Sequence, residues 1–470
     1  MKKFRIFAAL VVIASIFTSC NNFIDEMPKG VRVPTTLADY EALLRDEYSV
    51  NYLPCVQALY LINDRQLGDN TCRNVDNLNT ANYMWKEDKD RAALNSSTED
   101  VFDNGYGILG VVNTVLEYVP GSTEATQAEK DEVMAYAYAI RAFTLFQIVN
   151  FYADAYDPAT AASTPGVPLI YSGNLGSPWH QGTVKEVYDQ ILADFNKALE
   201  LGVPEKSMTV IHPDRASVEA GLARVYLSMR DYDAALTHAQ AALDRNSELF
   251  DWVAYYEEYK NRIEDTEDYN LISSPMSHLN VENYWFCSGQ GNPNYPTRII
   301  DIPTDRVIRF ENGDCKLACS WKRYESSTDV YFRGMLTGYY NQAGIATPEV
   351  HLIKAECQAR KGDVEGALVT LDEVRKTRIH PDYYSPSVAS NIAEAIDRIR
   401  LTKDNELIGS MIPFIDLKRY NAEGTYSRTL TKTFDGQTYT LSPSSHLWTM
   451  VFPANSINRP GNGVLTQNSK

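Results

Sequence analysis

Histidine is scarce in this chain, seven residues in 470, and positive charge falls short of negative, 44 Lys and Arg against 61 Asp and Glu. So few histidines leave little material for imidazole metal sites. A formal charge of −17 removes any general attraction to nucleic-acid phosphates and to anionic lipid headgroups. The sequence has no Gly-x-Ser-x-Gly elbow, His-Glu-x-x-His, P-loop or Gly-x-Gly-x-x-Gly, so the common signatures of serine hydrolases, zinc peptidases and nucleotide binders are missing. Cys315-x3-Cys319 lacks a second Cys or His pair at zinc spacing. Glycoside hydrolysis needs only two carboxylates, and with 61 acids any pair can be proposed, so that pattern carries no signal. The chain therefore reads as a non-enzyme with no catalytic residue, no metal and no cofactor.

What is present is ordinary globular material, 44% hydrophobic and 22% charged, with 30 tyrosines against 16 phenylalanines and 6 tryptophans. Tyrosine pairs an apolar face with a polar tip, which suits a binding surface. At the N-terminus Lys2, Lys3 and Arg5 precede the apolar run Phe7 to Phe17. That run is too short for a bilayer core of ~30 Å and reads as a secretory signal. It ends in Phe17-Thr18-Ser19-Cys20, which resembles a bacterial lipobox with Phe17 in place of the usual leucine. Residues 1–19 are thus expected to be removed and Cys20 lipidated, so that the membrane is reached through a lipid anchor. Six other cysteines remain, and export permits disulfides among them. Cys357 falls within a helical pattern and reads as a small buried hydrophobe.

Helical periodicity dominates the rest. Leu37 to Leu44, Val101 to Val119 (stopped by Pro120-Gly121) and Glu129 to Tyr152 each carry an apolar stripe. Thr183 with Glu186 three residues on predicts a capping box opening a helix to Leu201. Ala216 to Met229 and Tyr232 to Leu243 predict a hairpin broken only at Arg230-Asp231; Glu349 to Arg360 and Val364 to Arg378 predict another. Small residues at the expected spacing make these look like tetratricopeptide repeats. A weaker unit pairs Tyr136–Tyr152 with Val184–Leu199. The expected fold is mostly α, with helical repeats on one side and a large irregular, minor-β face on the other. The expected parts are a signal over 1–19, a helical part over 20–245, an aromatic-rich insertion over 246–347 and a C-terminal part over 348–470. Residues 20–470 are expected to form one compact unit. The tail after Tyr420 reads as irregular, with strand-like Gln437 to Leu441 and Trp448 to Pro453.

Several short motifs stand in a telling order. Tyr138-x-x-Arg141-Ala142-Phe143 is followed by Phe151-Tyr152-x-Asp154, Gly166-Val167-Pro168-Leu169 and Val187-Tyr188-x-x-Ile191-x-x-Asp194. Later come Ala355-Glu356, Val374-Arg375-x-x-Arg378, Asp416-Leu417-x-Arg419-Tyr420 and Phe452-Pro453. With the lipobox, this order resembles the SusD/RagB family of nutrient-binding outer-membrane lipoproteins of Bacteroidetes. The chain departs from the family pattern at Ala153, at Ser410-Met411-x-Pro413 and at Ala454-Asn455. The resemblance implies a SusD-like fold, a glycan ligand (peptide or another nutrient as the alternative) and no enzymatic activity, a secreted glycan-acting enzyme being the least favoured alternative. It also implies a SusC-like TonB-dependent transporter as partner and a lipid-anchored place on the extracellular side of the outer membrane.

Sugars present C–H faces that pack on rings, and hydroxyls that need amide and charged partners. Candidate ligand residues are accordingly Tyr83 and Trp85, in a polar stretch, and Trp285, Asn292, Asn294, Tyr295 and Trp321, in the insertion. Both regions mix tryptophan with turn formers, which predicts a shallow, exposed aromatic site. Trp179 and Trp448 read as structural, and Asp64-Arg65 lie in a polar loop with no assigned role.

Overall fold

The computed structural model describes residues 34–46, 50–95, 100–174, 176–289, 298–338 and 341–468. Cys20, Asn292, Asn294 and Tyr295 lie outside them. Eleven longer helices carry the architecture. They are α1 (Leu37–Leu44), α2 (Asp100–Tyr118), α3 (Gln127–Tyr152), α4 (Val184–Glu200), α5 (Arg215–Met229), α6 (Tyr232–Leu243), α7 (Trp252–Glu264), α8 (Thr347–Arg360), α9 (Val364–Lys376), α10 (Ile392–Glu406) and α11 (Ile412–Glu423).

The expected hairpins are present. α5 packs on α6 and α8 on α9, while α6 also lies against α8. Arg230 takes a left-handed conformation, φ 65°, and closes α5 in the two-residue break. Ala223, Ala235 and Ala239 are fully buried where the helices meet. Close approach also demands Gly221, since a Cβ there would lie 2.6 Å from the Phe195 ring. The capping box at Thr183 forms: the Thr183 N–H donates to Glu186 Oε2 at 2.7 Å and the Glu186 N–H to Thr183 Oγ1 at 3.2 Å.

α3 is the central element. Every residue from Ala139 to Tyr152 is buried, so its polar groups need internal partners. Gln147 Nε2 reaches Ala343 O at 2.7 Å, and Arg141 holds Asp194 of α4. One hydrophobic cluster runs from Tyr40 to Leu465 through α3.

Strands are short and marginal to this core. β1 (Pro165–Leu169) pairs with β2 (His180–Thr183). Between 246 and 347 lie β3 (Ile272–Ser273), β4 (Asn283–Trp285), β5 (Ile302–Pro303), β6 (Trp321–Glu325), β7 (Val330–Gly334), β8 (Leu336–Thr337) and β9 (Ile345–Ala346). They make two two-stranded pairs and one three-stranded sheet in the order β5-β7-β6. β10 (Leu430–Phe434) and β11 (Gln437–Leu441) form a hairpin turned at Asp435-Gly436, both with positive φ as a primed turn requires.

The strand expected at Trp448 to Pro453 is not formed. A 3-10 turn covers His446–Trp448, and the next residues bond singly to the end of α3, with Met450 N–H on Phe151 O at 3.0 Å. α10 escaped the sequence reading because Lys403, Asp404 and Glu406 are buried on it, which blurs its apolar stripe. The six cysteines among the described residues are buried, and Cys72, Cys287, Cys315, Cys319 and Cys357 form no disulfide.

Buried arginine–carboxylate clamps tie the parts together. Arg141 meets Asp194 at 2.7 Å, Arg224 meets Glu349 at 2.7 Å and Arg306 meets Asp64 at 2.6 Å. Arg378 bridges Glu282 and Glu406 at 2.7 and 2.8 Å. Arg419 holds Glu356 with two bonds of 2.7 and 2.8 Å, and Tyr420 adds its hydroxyl at 2.9 Å. Burial alone would raise the Glu406 carboxyl, but Arg378 and Lys316 outweigh it and hold the group down at about 2. A carboxyl depressed in the folded state stabilises only while ionised. The stability advantage of wild type over Glu406→Gln should therefore be full above the ordinary value of 4.5 and vanish as pH falls towards about 2. Chemical denaturation across that range checks this; an advantage independent of pH would mean that the charge of Glu406 does not carry it.

Candidate functional site

A short helix, Val56–Leu61, brings the chain to Asn63, whose φ of 64° turns the next residues along a rim. Asparagine tolerates that left-handed conformation better than most residues. Asp64 then points inward to its clamp with Arg306, which stands in the short helix Thr304–Val307. The Gln66 N–H donates to Asp301 O at 2.8 Å. These bonds set segment 63–66 against segment 298–309, and a cleft opens on each side of Gln66.

The smaller cleft, about 490 Å³, is walled by Tyr52, Tyr60, Arg65, Asp100, Arg298 and Asp301 among others. Tyr52 is half-buried, and burial together with Asp100 raises its phenol, so it stays a neutral hydroxyl at pH 7. The Arg65 guanidinium lies 5.4 Å from the centre of the Tyr60 ring, which itself stands edge-on to Tyr83. The larger cleft, about 660 Å³, is bounded by Asn63, Asp69, Tyr83, Asp305, Arg309 and Lys432, with β10 as its far wall. Lys432 Nζ sits 3.6 Å from the Tyr83 ring centre and 4.3 Å from that of Trp85. Burial brings it down to about 7. Gln66 lines both clefts, so together they form one groove.

The tryptophans expected to be exposed are not. Trp85, Trp285 and Trp321 are 5%, 2% and 3% exposed. Each indole N–H is satisfied by a main-chain carbonyl: Trp85 by Leu61 at 2.8 Å, Trp285 by Ile211 at 3.0 Å and Trp321 by Ile300 at 2.7 Å. Trp285 stacks on Phe143 with ring centres 4.4 Å apart. A polar, turn-rich neighbourhood thus hides rings that bury their faces and spend their one donor on the backbone. Trp85 and Trp321 brace the groove from beneath, because Leu61 leads into its rim and Ile300 lies in its wall. Tyr83 does line the larger cleft, though it is mostly covered. Tyr52, Tyr60, Arg65 and Arg309 escaped the sequence reading, since no local pattern joins them. Trp179 donates to Pro460 O and Trp448 is buried, both structural as expected.

A third cleft of about 660 Å³ lies at the C-terminal end of α3. There Lys418 Nζ donates to Asn150 O at 2.7 Å and Ala153 O at 2.6 Å, capping carbonyls that the helix leaves free. Its one large aromatic ring, Trp448, is buried, whereas the groove at Gln66 has the half-buried Tyr52 in its wall. The groove at Gln66 is the better candidate.

The helical repeats thus carry an irregular face with a polar, tyrosine-walled groove. No helix among the described residues is long and apolar enough to cross a membrane. The family model described as SusD-like, starch-binding associating with outer membrane, matches residues 22–227. "SusD-like protein P2" of Formosa agariphila is 23% identical over 338 residues, 69% of this chain and 62% of that relative's length. A SusD superfamily protein from Bacteroides vulgatus superposes with a TM-score of 0.68 at 16% identity, covering 93% of this chain and 99% of its own. One from Bacteroides thetaiotaomicron gives 0.64 at 18% identity, covering 93% and 100%. A SusD-like carbohydrate binding protein from Bacteroides vulgatus gives 0.58 at 18% identity, covering 87% and 89%. Residues 22–227 thus match the SusD-like family model, and the fold along most of the chain is that of SusD superfamily proteins.

The bracing role of Trp321 has a measurable consequence. Trp321→Ala should cost ~3–5 kcal/mol in chemical denaturation, as truncation of a buried large aromatic does. A variant as stable as wild type would show that the ring does not support the wall.

Proposed function

We propose that this chain is a lipid-anchored outer-membrane protein that captures an oligosaccharide or polysaccharide in the Gln66 groove. It hands the glycan to a SusC-like TonB-dependent transporter and does not itself cleave it. The observation that carries the reading is the groove: two tyrosine-bearing clefts that adjoin at Gln66, lined by amides, hydroxyls, guanidinium groups and carboxylates. Tyrosine rings suit the C–H faces of a sugar, and the polar groups suit its hydroxyls. An open groove of two compartments fits a chain of several residues better than one small molecule. The family's description as starch-binding, and a structural neighbour described as carbohydrate binding, support glycan as the class.

Glycan-array screening followed by calorimetry tests this. Tyr52→Ala should raise Kd about 5- to 150-fold, the equivalent of ~1–3 kcal/mol for a lost stacking ring by analogy with base–aromatic stacking. Its melting temperature should stay close to wild type, because Tyr52 is only half-buried. An unchanged Kd would place the ligand elsewhere. Anchoring is tested separately. In cells lacking the transporter, Cys20→Ala should leave the membrane fraction, and unchanged detergent-dependent fractionation would refute lipidation at Cys20.

A further inference from the structure

The larger cleft contains three basic residues, Arg309, Arg428 and Lys432, against two acids, Asp69 and Asp305. The whole chain has 44 bases to 61 acids, so this local balance runs against the average. Two of the three cations are occupied. Arg428 approaches Asp404 at 3.7 Å, and Lys432 is enclosed by the Tyr83 and Trp85 rings and donates to Tyr83 O. Arg306, just behind the wall, is saturated by Asp64, Asn405 and the main-chain oxygen of Asp404. Arg309 differs. Its main-chain oxygen is held by Asn405 Nδ2 at 2.9 Å, but its guanidinium makes no ion pair or hydrogen bond among the described residues. The guanidinium is half-buried in the cleft wall, and its five donors are left for solvent or a ligand.

Asn63 supplies a second, independent sign. It is 1% exposed and lines the same cleft. Its Nδ2 donates to Asp305 Oδ1 at 3.1 Å, which fixes the amide's orientation. The opposite atom, Oδ1, is buried and has no partner. That atom can only accept, so its missing partner is a donor such as a sugar hydroxyl.

We infer that the larger cleft receives an oxyanion borne by the glycan, a uronate carboxylate or a sulfate ester, on Arg309, while Asn63 Oδ1 accepts a hydroxyl beside it. This rests on the glycan reading above and names its class. The planar guanidinium matches either anion with two parallel bonds. Asp305 is engaged by Asn63. Asp69, whose N–H donates to Asp329 Oδ1 at 2.9 Å, adds negative charge at the edge. With the −17 of the chain, that favours a glycan carrying isolated anions over a densely charged polymer.

The test is calorimetry on full-length processed protein with matched probe pairs. These are a mixed neutral–uronate oligosaccharide with its carboxyl-reduced form, and a lightly sulfated galactan oligosaccharide with its desulfated form. Wild type should prefer one acidic member over its neutral counterpart, and which pair shows the preference identifies the anion. Arg309→Met should lose about 10- to 100-fold for that acidic member, as for a charge-assisted hydrogen bond, and bind the neutral one as wild type does. Arg309→Lys should fall between, since it keeps charge but loses the planar fork. Circular dichroism and melting temperature confirm that each variant is folded. Equal wild-type affinity for both members of each pair, or an unchanged acidic affinity in Arg309→Met, overturns the inference and leaves the glycan reading standing if Tyr52→Ala still weakens binding. Binding to no glycan, or to control peptides alone, overturns both.

Discussion

The buried arginine–carboxylate clamp is the constraint on which the structure depends. Arg306 and Asp64 are 242 residues apart in sequence, Arg224 and Glu349 are 125, Arg378 and Glu282 are 96. Arg224 joins α5 to α8, Arg378 joins the end of α9 to the insertion, and Arg306 joins the insertion to the rim at Asp64. Such pairs add little net stability over a hydrophobic substitute, because desolvation offsets the Coulomb gain. Their cost appears when one partner is lost and the other stays buried and charged, roughly 3–5 kcal/mol. A clamp therefore penalises every arrangement but one, which matters for a face whose short strands supply little ladder of their own.

This recasts the family motifs. Arg141 and Asp194, from two separate motifs, are each other's partners. Glu356 takes Arg419 and Tyr420 from the Asp-Leu-x-Arg-aromatic segment, while Asp416 takes Lys403 and Arg419. Arg378 closes on Glu282 in the insertion. The residues that carry the resemblance thus hold the parts of the chain in register and touch no cleft wall in the Gln66 groove. That is why they define the fold so well and say nothing of which ligand is bound.

Local patterns were legible in the sequence and long-range ones were not. The break at Arg230-Asp231, the capping box at Thr183 and the pairing of α3 with α4 all follow from periodicity or from contacts three and four residues apart. The groove comes from Tyr52, Asn63, Arg65, Asp301 and Arg309, which meet only because Asp64 is drawn to Arg306. Of the residues singled out, Tyr83 lines the groove, whereas Trp85, Trp285 and Trp321 are buried, because polar neighbours in sequence do not predict polar neighbours in space. An indole beside turn formers is well placed to donate to a turn's free carbonyl, as Trp85 does to Leu61 and Trp321 to Ile300.

The same accounting gives exposed cations their meaning here. The clamps withdraw Arg141, Arg224, Arg306, Arg378 and Arg419 into the core along with six acids, since Arg378 takes two. They leave the net charge unchanged but reduce the basic residues available at the surface. What remains outside is more acidic in proportion than the composition suggests, and most of its arginines are spent on nearby carboxylates. The Arg309 guanidinium, in a groove wall with no carboxylate of its own, and the unpartnered Asn63 Oδ1, in the lining of the same cleft, depart from that pattern. Both groups line the larger cleft, and a guanidinium that can only donate and an amide oxygen that can only accept are together complementary to an anion that carries a hydroxyl.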